Sequence, residues 1–171
     1  MLGIYGMGRI GRALAKRAIA HGLKIIYHNK RPYEEGLIDF PGSYVSFEEL
    51  LRRSDFISVH APLAKETRHR FTIDEFRKMK KGAYFVNTAR GLLVKEADLV
   101  QALKEGWIAG AGLDVYEFEP EVNPDLMKLD NVVLLPHIGS AAKEVRERMA
   151  MIVAENLIAF FNGELPPNKV N

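Results

Sequence analysis

The chain has 171 residues, 47% apolar and 27% charged, with a net charge of +2 and no cysteine. That length supports one domain with a real core and is short for two. Interspersed, nearly balanced charges give no electrostatic case for nucleic acid or a membrane surface; the lack of cysteine excludes disulfides and thiolate metal sites; and no apolar run approaches the ~20 residues that span a bilayer. No basic segment leading into a long apolar stretch marks a secretory signal, so the expectation is a cytoplasmic soluble domain.

Leu2 to Tyr5 opens the chain as a short apolar run and reads as a strand. The turn Gly6-Met7-Gly8-Arg9-Ile10-Gly11 follows, leading into Arg9 to His21, where Ile10, Ala13, Leu14 and Ala18 share one helical face. Strand, glycine turn and helix in that order are the context of a dinucleotide-binding fingerprint. Gly6 allows the tight turn, Gly8 lets backbone approach a pyrophosphate, and Gly11 lets the helix pack against the sheet. The free N–H groups around Arg9 and Ile10 then face the phosphates. A purely structural glycine turn is the competing reading.

Lys24 to His28 reads as the next strand, and Asn29-Lys30-Arg31 follows it. A site selective for NAD usually carries Asp or Glu here, to accept from the ribose 2′-OH. No carboxylate stands at positions 28–31, while Lys30 and Arg31 offer charge for a 2′-phosphate. NADP is the favoured cofactor and NAD remains possible; a solvated basic turn is the plainer alternative.

Ser46 to Glu49 and Thr72 to Glu75 are capping boxes, each opening a short helix. Phe56 to Val59, Ala83 to Asn87, Ala109 to Val115 and Val132 to Leu135 read as strands, and Lys95 to Glu105 as a helix stopped by Gly106. The alternation predicts an α/β fold: a doubly wound parallel sheet of Rossmann type over residues 1–140. From Ala141 to Asn162 a helix of about six turns is expected, with Val145, Met149, Ile152, Val153, Leu157 and Phe160 on one side. Gly163 and Pro166-Pro167 end it. That stripe either packs on the domain's own sheet or faces a domain or subunit outside this chain.

Three further residues carry the chemistry. Arg90 lies in Asn87-Thr88-Ala89-Arg90-Gly91, Glu119 in Glu117-Phe118-Glu119-Pro120, and His137 in Leu135-Pro136-His137-Ile138-Gly139. A guanidinium fork suits a 2-oxo acid, whose carboxylate and keto oxygens are coplanar acceptors. Reduction of the ketone puts negative charge on its oxygen, which calls for a proton donor near neutral pKa, and a carboxylate beside that imidazole raises its pKa and fixes the ring. Taken singly each has a plainer reading: a surface Arg, a loop Glu, a core His. His60 reads equally well as a structural histidine, and Trp107 as packing. His21, His28 and His69 have no pairing that suggests a metal site, so none is expected. No nucleophile elbow or phosphate-binding Gly-Lys-Ser loop is present.

With Gly6 to Gly11, His60-Ala61-Pro62-Leu63, Asn87 to Gly91, Gly110-Ala111-Gly112-Leu113-Asp114-Val115 and Pro136 to Ser140 in this order, the chain resembles the D-2-hydroxyacid dehydrogenases, above all glyoxylate/hydroxypyruvate reductases. The resemblance implies that Arg90 binds the substrate carboxylate and carbonyl oxygen, that His137 is the acid/base and that Glu119 hydrogen-bonds the imidazole. It assigns Asp114 to the nicotinamide carboxamide, Thr88 and Ala89 to the nicotinamide ribose, and Ala61 and Pro62 to the adenosine half. Arg90, His137 and Gly139 complete the cofactor-facing set. Formate dehydrogenases of this family are expected to carry Gln at position 119, so the carboxylate argues against formate oxidation. The family's substrate domain comes mainly from sequence before the first strand, so the chain reads as a cut piece whose residues 141–171 return toward that domain. Cofactor binding with little turnover, and a homodimer through this domain, are the expectations. The alternative is a non-catalytic, dinucleotide-gated module like the dehydrogenase-like corepressors.

Overall fold

The computed structural model describes residues 1–33 and 39–170. In chain order these form β1 (Leu2–Tyr5), α1 (Arg9–Ala20), β2 (Ile25–His28), β3 (Ser43–Tyr44), α2 (Phe47–Arg53), β4 (Phe56–Val59), α3 (Ile73–Lys78) and β5 (Tyr84–Asn87). A 3-10 turn at Gly91–Leu93, α4 (Glu96–Lys104), β6 (Gly110–Leu113), a 3-10 turn at Leu126–Lys128, β7 (Val132–Leu134) and α5 (Lys143–Phe161) complete it. The expected strands and helices are all present, most of them trimmed by a residue or two at their ends. β3 was not foreseen: two exposed residues at a sheet edge carry too little pattern to read.

The described strands form one sheet in the order β3-β2-β1-β4-β5-β6-β7, every pair parallel. β1 lies between β2 and β4, so the connections diverge at its carboxyl end, where a doubly wound sheet opens a crevice. The register keeps that edge level: Tyr5 stands opposite His28 and Val59, and Asn87 opposite Val59 and Leu113. The segments after β1, β2, β4, β5 and β6 therefore all emerge along one line.

Successive side chains of a strand point to opposite faces, and the core divides accordingly. Ile4 and Met7 pack with Ala15 and Ala18 of α1, while Tyr5, Ile57, Val59 and Phe85 join Phe71, Phe76 and Leu99 on the other side. At α2, Glu49 N–H donates to Ser46 Oγ at 3.2 Å and Ser46 N–H returns the bond to Glu49 Oε2 at 2.9 Å. At α3, the Glu75 carboxylate accepts from the Thr72 N–H and hydroxyl at 3.0 and 2.7 Å. These are the two boxes expected from the sequence.

The chain divides into two compact units, Met1–Pro136 and His137–Asn171. The second is α5 and its tail: Glu164 N–H donates to Ala159 O at 2.8 Å as Gly163 turns left-handed, and Asn156 exchanges bonds with Asn168 at 2.9 and 3.0 Å. Met151, Ile158 and Phe161 are exposed, as are Val145, Met149, Val153, Leu157 and Phe160 of the expected stripe, while Ile152 is half-buried, so the helix is apolar on more than one side. Among the described residues no helix is long and apolar enough to cross a membrane.

Candidate functional site

The glycine turn after β1 is shaped by sterics. Gly6 has φ +97, and a Cβ there would lie 2.4 Å from Ala61 N, so only glycine fits between β1 and the segment after β4. At Gly11 a Cβ would stand 2.4 Å from Gly6 O, which is why α1 can start so close to the turn. Gly8 is different: among the described residues, a Cβ there would meet no atom within 4 Å. Gly8 caps α1 without a side chain, and no acidic residue stands in the first turn. The leading N–H groups of α1 thus have no intrahelical acceptor and face open space, the arrangement that receives an anion.

The Met7 side chain is wholly buried, and the residue's backbone is held on both sides of its Cα. Its N–H donates to Asn29 Oδ1 at 2.7 Å, and its carbonyl accepts from the Tyr33 hydroxyl at 2.6 Å. Because the group facing Asn29 is a donor, the amide must present its oxygen to Met7, leaving its NH2 for the other direction. With exposed Lys30 and Arg31 beside it, the end of β2 offers donors and cations. Gly6, Asn29, Lys30, Arg31, Ala61 and Pro62 share a hollow of about 640 Å³, to which Tyr5, His28, Tyr33 and Thr67 also contribute. Those last four were not anticipated, since nothing local marks a residue whose role is to face a cleft.

A second hollow of about 390 Å³ shares Ala61 and Pro62 with the first and brings Ile10 together with Thr88, Ala89 and Arg90. Its far wall is organised by buried Asn87, which accepts from Ala89 N–H at 3.0 Å and donates to Arg90 O at 2.9 Å. Asn87 is thus the residue that shapes the Arg90 turn. The Arg90 side chain is exposed, its Nη1 donating to Ala89 O at 2.6 Å. His60, on the wall of the second hollow, meets Ser58 Oγ through Nε2 at 2.8 Å, and burial pulls its pKa below the usual histidine range.

Asp114 directly follows β6, is 4% exposed, and its N–H donates to Asn87 O at 3.0 Å. Glu119 Oε1 accepts from Tyr116 N–H at 2.9 Å. Gly91 lies so close to this segment that a Cβ would fall 1.8 Å from Tyr116 O, bringing the backbones that carry Arg90 and Glu119 into contact. A pair of acids fastens the same segment to α4. Glu117 Oε2 accepts from Glu96 N–H at 2.9 Å, Glu96 Oε1 accepts from Glu117 N–H, and His69 Nε2 meets Glu117 Oε1 at 2.7 Å. Glu96 is 3% exposed, and burial, with Glu117 and Glu119 adding repulsion, raises its pKa. His137 and Gly139 belong to the second compact unit, where His137 adopts φ +53, a left-handed conformation uncommon for a side-chain-bearing residue. Trp107 precedes β6 at the opposite edge of the sheet, under Arg77 at 4.6 Å, away from both hollows. Among the described residues no cluster of His, Asp or Glu is placed to hold a metal ion.

The family model for the D-isomer specific 2-hydroxyacid dehydrogenase NAD-binding domain matches residues 1–139. The chain belongs to this family. A glyoxylate reductase of Thermococcus litoralis is 58% identical over 170 residues, covering 99% of this chain and 51% of the relative. The NADPH-dependent glyoxylate/hydroxypyruvate reductase of Sinorhizobium meliloti, solved with NADP and malonate, superposes with TM-score 0.88 at 40% identity, over 94% of this chain and 50% of that one. D-lactate dehydrogenase of Lactobacillus jensenii, solved with NAD+, gives TM-score 0.90 at 32% identity, over 99% and 55%. This dehydrogenase domain spans about half the length of the curated relatives it matches. As a Rossmann-type member of the family it has the fold of an NAD(P)-binding domain.

Proposed function

We propose that this chain is the cofactor-binding half of an NADP-preferring D-2-hydroxyacid dehydrogenase that reduces a small 2-oxo acid, glyoxylate or hydroxypyruvate. The observation that carries the reading is the joining of an anion cradle at Gly8 to a donor-rich strand end at Asn29, Lys30 and Arg31. The name of the Thermococcus litoralis relative supports the substrate, and that of the NADPH-dependent Sinorhizobium meliloti enzyme supports both substrate and cofactor.

The residues present fit a dinucleotide. The α1 N-terminus from Gly8 to Ile10 would take the pyrophosphate, with Met7 supporting the turn from behind. Lys30 and Arg31 would take the 2′-phosphate. Ala61 and Pro62 would flank the adenosine half, while Thr88, Ala89, Asp114 and Gly139 would line the nicotinamide half. When bound, the reduced nicotinamide supplies a hydride to C2 of the oxo acid. Arg90 would hold the substrate carboxylate and keto oxygen with its fork, aligning the carbonyl and stabilising charge that develops on oxygen. His137 would give that oxygen its proton, and Glu119 would orient the imidazole.

The other half of the site would come from a substrate-binding domain, toward which residues 141–171 return; closure between the halves positions the reactants and excludes water. Alone, the chain would bind cofactor and turn over little, and it would dimerise through this domain.

Calorimetric titration of the chain with NADPH and NADH side by side tests the reading. Heat is preferable to Trp107 fluorescence, because that ring lies at the far edge of the sheet. Tighter NADPH binding, lost in Lys30→Ala/Arg31→Ala, is the expected result. Equal affinities would overturn the NADP preference, and binding of neither would overturn the cradle.

A further inference from the structure

We infer that Tyr33 is a positioning residue for cofactor selection: its hydroxyl, acting with Asn29, locks the Lys30–Arg31 turn onto the phosphate cradle. The inference rests on the proposed preference for a 2′-phosphorylated dinucleotide.

Asn29 and Tyr33 stand on either side of Lys30–Arg31, and both grip the backbone of one residue, Met7. One takes its N–H at 2.7 Å and the other its carbonyl at 2.6 Å. Met7 lies between Gly6 and Gly8, so the segment that would receive the pyrophosphate and the segment that would receive the 2′-phosphate are tied through the two peptide groups that flank the Met7 Cα. The Tyr33 ring is itself seated, 6.2 Å from the Tyr27 ring, with the Arg12 guanidinium 5.8 Å above it. The Asn29 carbonyl accepts a long further bond from the Tyr44 hydroxyl at 3.4 Å.

The physical consequence falls on one cofactor. Lys30 and Arg31 are exposed, long and rotamer-rich, and gripping a phosphate costs them that freedom. A turn already fixed at both ends loses less on binding than one that must be ordered at the same moment. Releasing the Tyr33 end leaves the α1 N-terminus intact, because Asn29 still holds Met7. The loss is then felt by a ligand that uses Lys30 and Arg31, and a ligand without a 2′-phosphate is spared. Removing Asn29 loosens the cradle itself and affects both.

Tyr33→Phe keeps the ring and deletes only the hydroxyl. Titrated beside the parent chain, it is expected to weaken NADPH binding about fivefold, the effect of one neutral hydrogen bond, with NADH binding changed less than about twofold. Asn29→Ala is expected to weaken both. Amide exchange gives a readout without cofactor: Lys30 and Arg31 should exchange faster in Tyr33→Phe while α1 is unchanged. Unaltered NADPH affinity in Tyr33→Phe, or an equal loss for both cofactors, would overturn the role of Tyr33 while leaving the cofactor preference standing. A parent chain that binds the two equally, or binds neither, would remove the preference and the inference with it.

Discussion

The two ends of the carboxyl edge are built by different means. Where β1 and β2 finish, backbone does the work: glycines without side chains, N–H groups at the start of α1 with no side-chain cap, and the backbone of one residue, Met7, clamped by Asn29 and Tyr33. Where β5 and β6 finish, side chains brace side-chain-bearing turns. Asn87 ties the Arg90 turn, and Glu96 and Glu117 exchange bonds behind Glu119. The difference follows from what each end has to hold. A phosphate is recognised by dipoles that can lie close to it, which requires bare backbone. An orienting carboxylate and a guanidinium have to stand at fixed places, which requires a stiff support buried beneath them.

The comparison can be broken most forcefully at Gly91. A methyl group there collides with the Tyr116 carbonyl, so Gly91→Ala is expected to lower stability by about 3 kcal/mol or more, read from the urea unfolding midpoint. A stable variant would show that the β5 and β6 turns are not packed as tightly as described.

Glu96 comes next. Glu96→Ala leaves the Glu117 N–H buried without its acceptor and should cost about 2 kcal/mol, while Glu96→Gln keeps an acceptor and should cost under about 1 kcal/mol. A pH series adds a sign. The folded-state pKa of Glu96 is raised above the ordinary 4.5, so the folded protein holds that proton longer than the unfolded chain does. Its contribution to stability is therefore full below about 4.5 and falls as pH rises toward the folded value. Unfolding midpoints of parent and Glu96→Gln should converge at low pH, when the two are offset to a common baseline, and the parent should fall behind as pH rises. Parallel curves would mean that Glu96 ionises as freely in the fold as out of it.

Gly8→Ala sharpens the contrast from the other side. Its Cβ would meet no atom of the described residues within 4 Å, and Gly8 has φ −74, so stability should change by less than about 0.5 kcal/mol. Dinucleotide affinity should nonetheless fall tenfold or more, because the methyl group occupies the space that a pyrophosphate would need. Loss of stability without loss of affinity would reverse the reading of the cradle.

The smallest expected effect belongs to His60, which lines the second hollow. Burial depresses its folded-state pKa below the ordinary 6.5, so its contribution is full above that pH and is lost as pH falls from 6.5 through the folded value. Thermal unfolding of His60→Gln should show a flatter acid limb than the parent as pH falls below 6.5.

Much of the fold was legible because its signals are local. Each strand between β1 and β7 other than β3 is a short apolar run beside a turn, and the boxes at Ser46 and Thr72 need only four consecutive residues. The C-terminal helix was legible in extent, yet the stripe drawn along it was too narrow, because Met151, Ile158 and Phe161 carry the apolar surface round the helix. Of the candidate site, the glycine turn and the Arg90 turn were legible as segments. Their supports were not: Tyr33 sits 26 residues from Met7, and Glu96 sits 21 from Glu117.

The sequence by itself determined the order of elements, the parallel sheet and the family, since spacing, glycine placement and apolar period are properties of neighbouring residues. Tertiary structure decided which residue's backbone Asn29 and Tyr33 would hold, which direction the Asn29 amide would face and which buried acid would back the Glu119 segment. Those are contacts between distant residues, set only when the strands align in register and bring their carboxyl ends level.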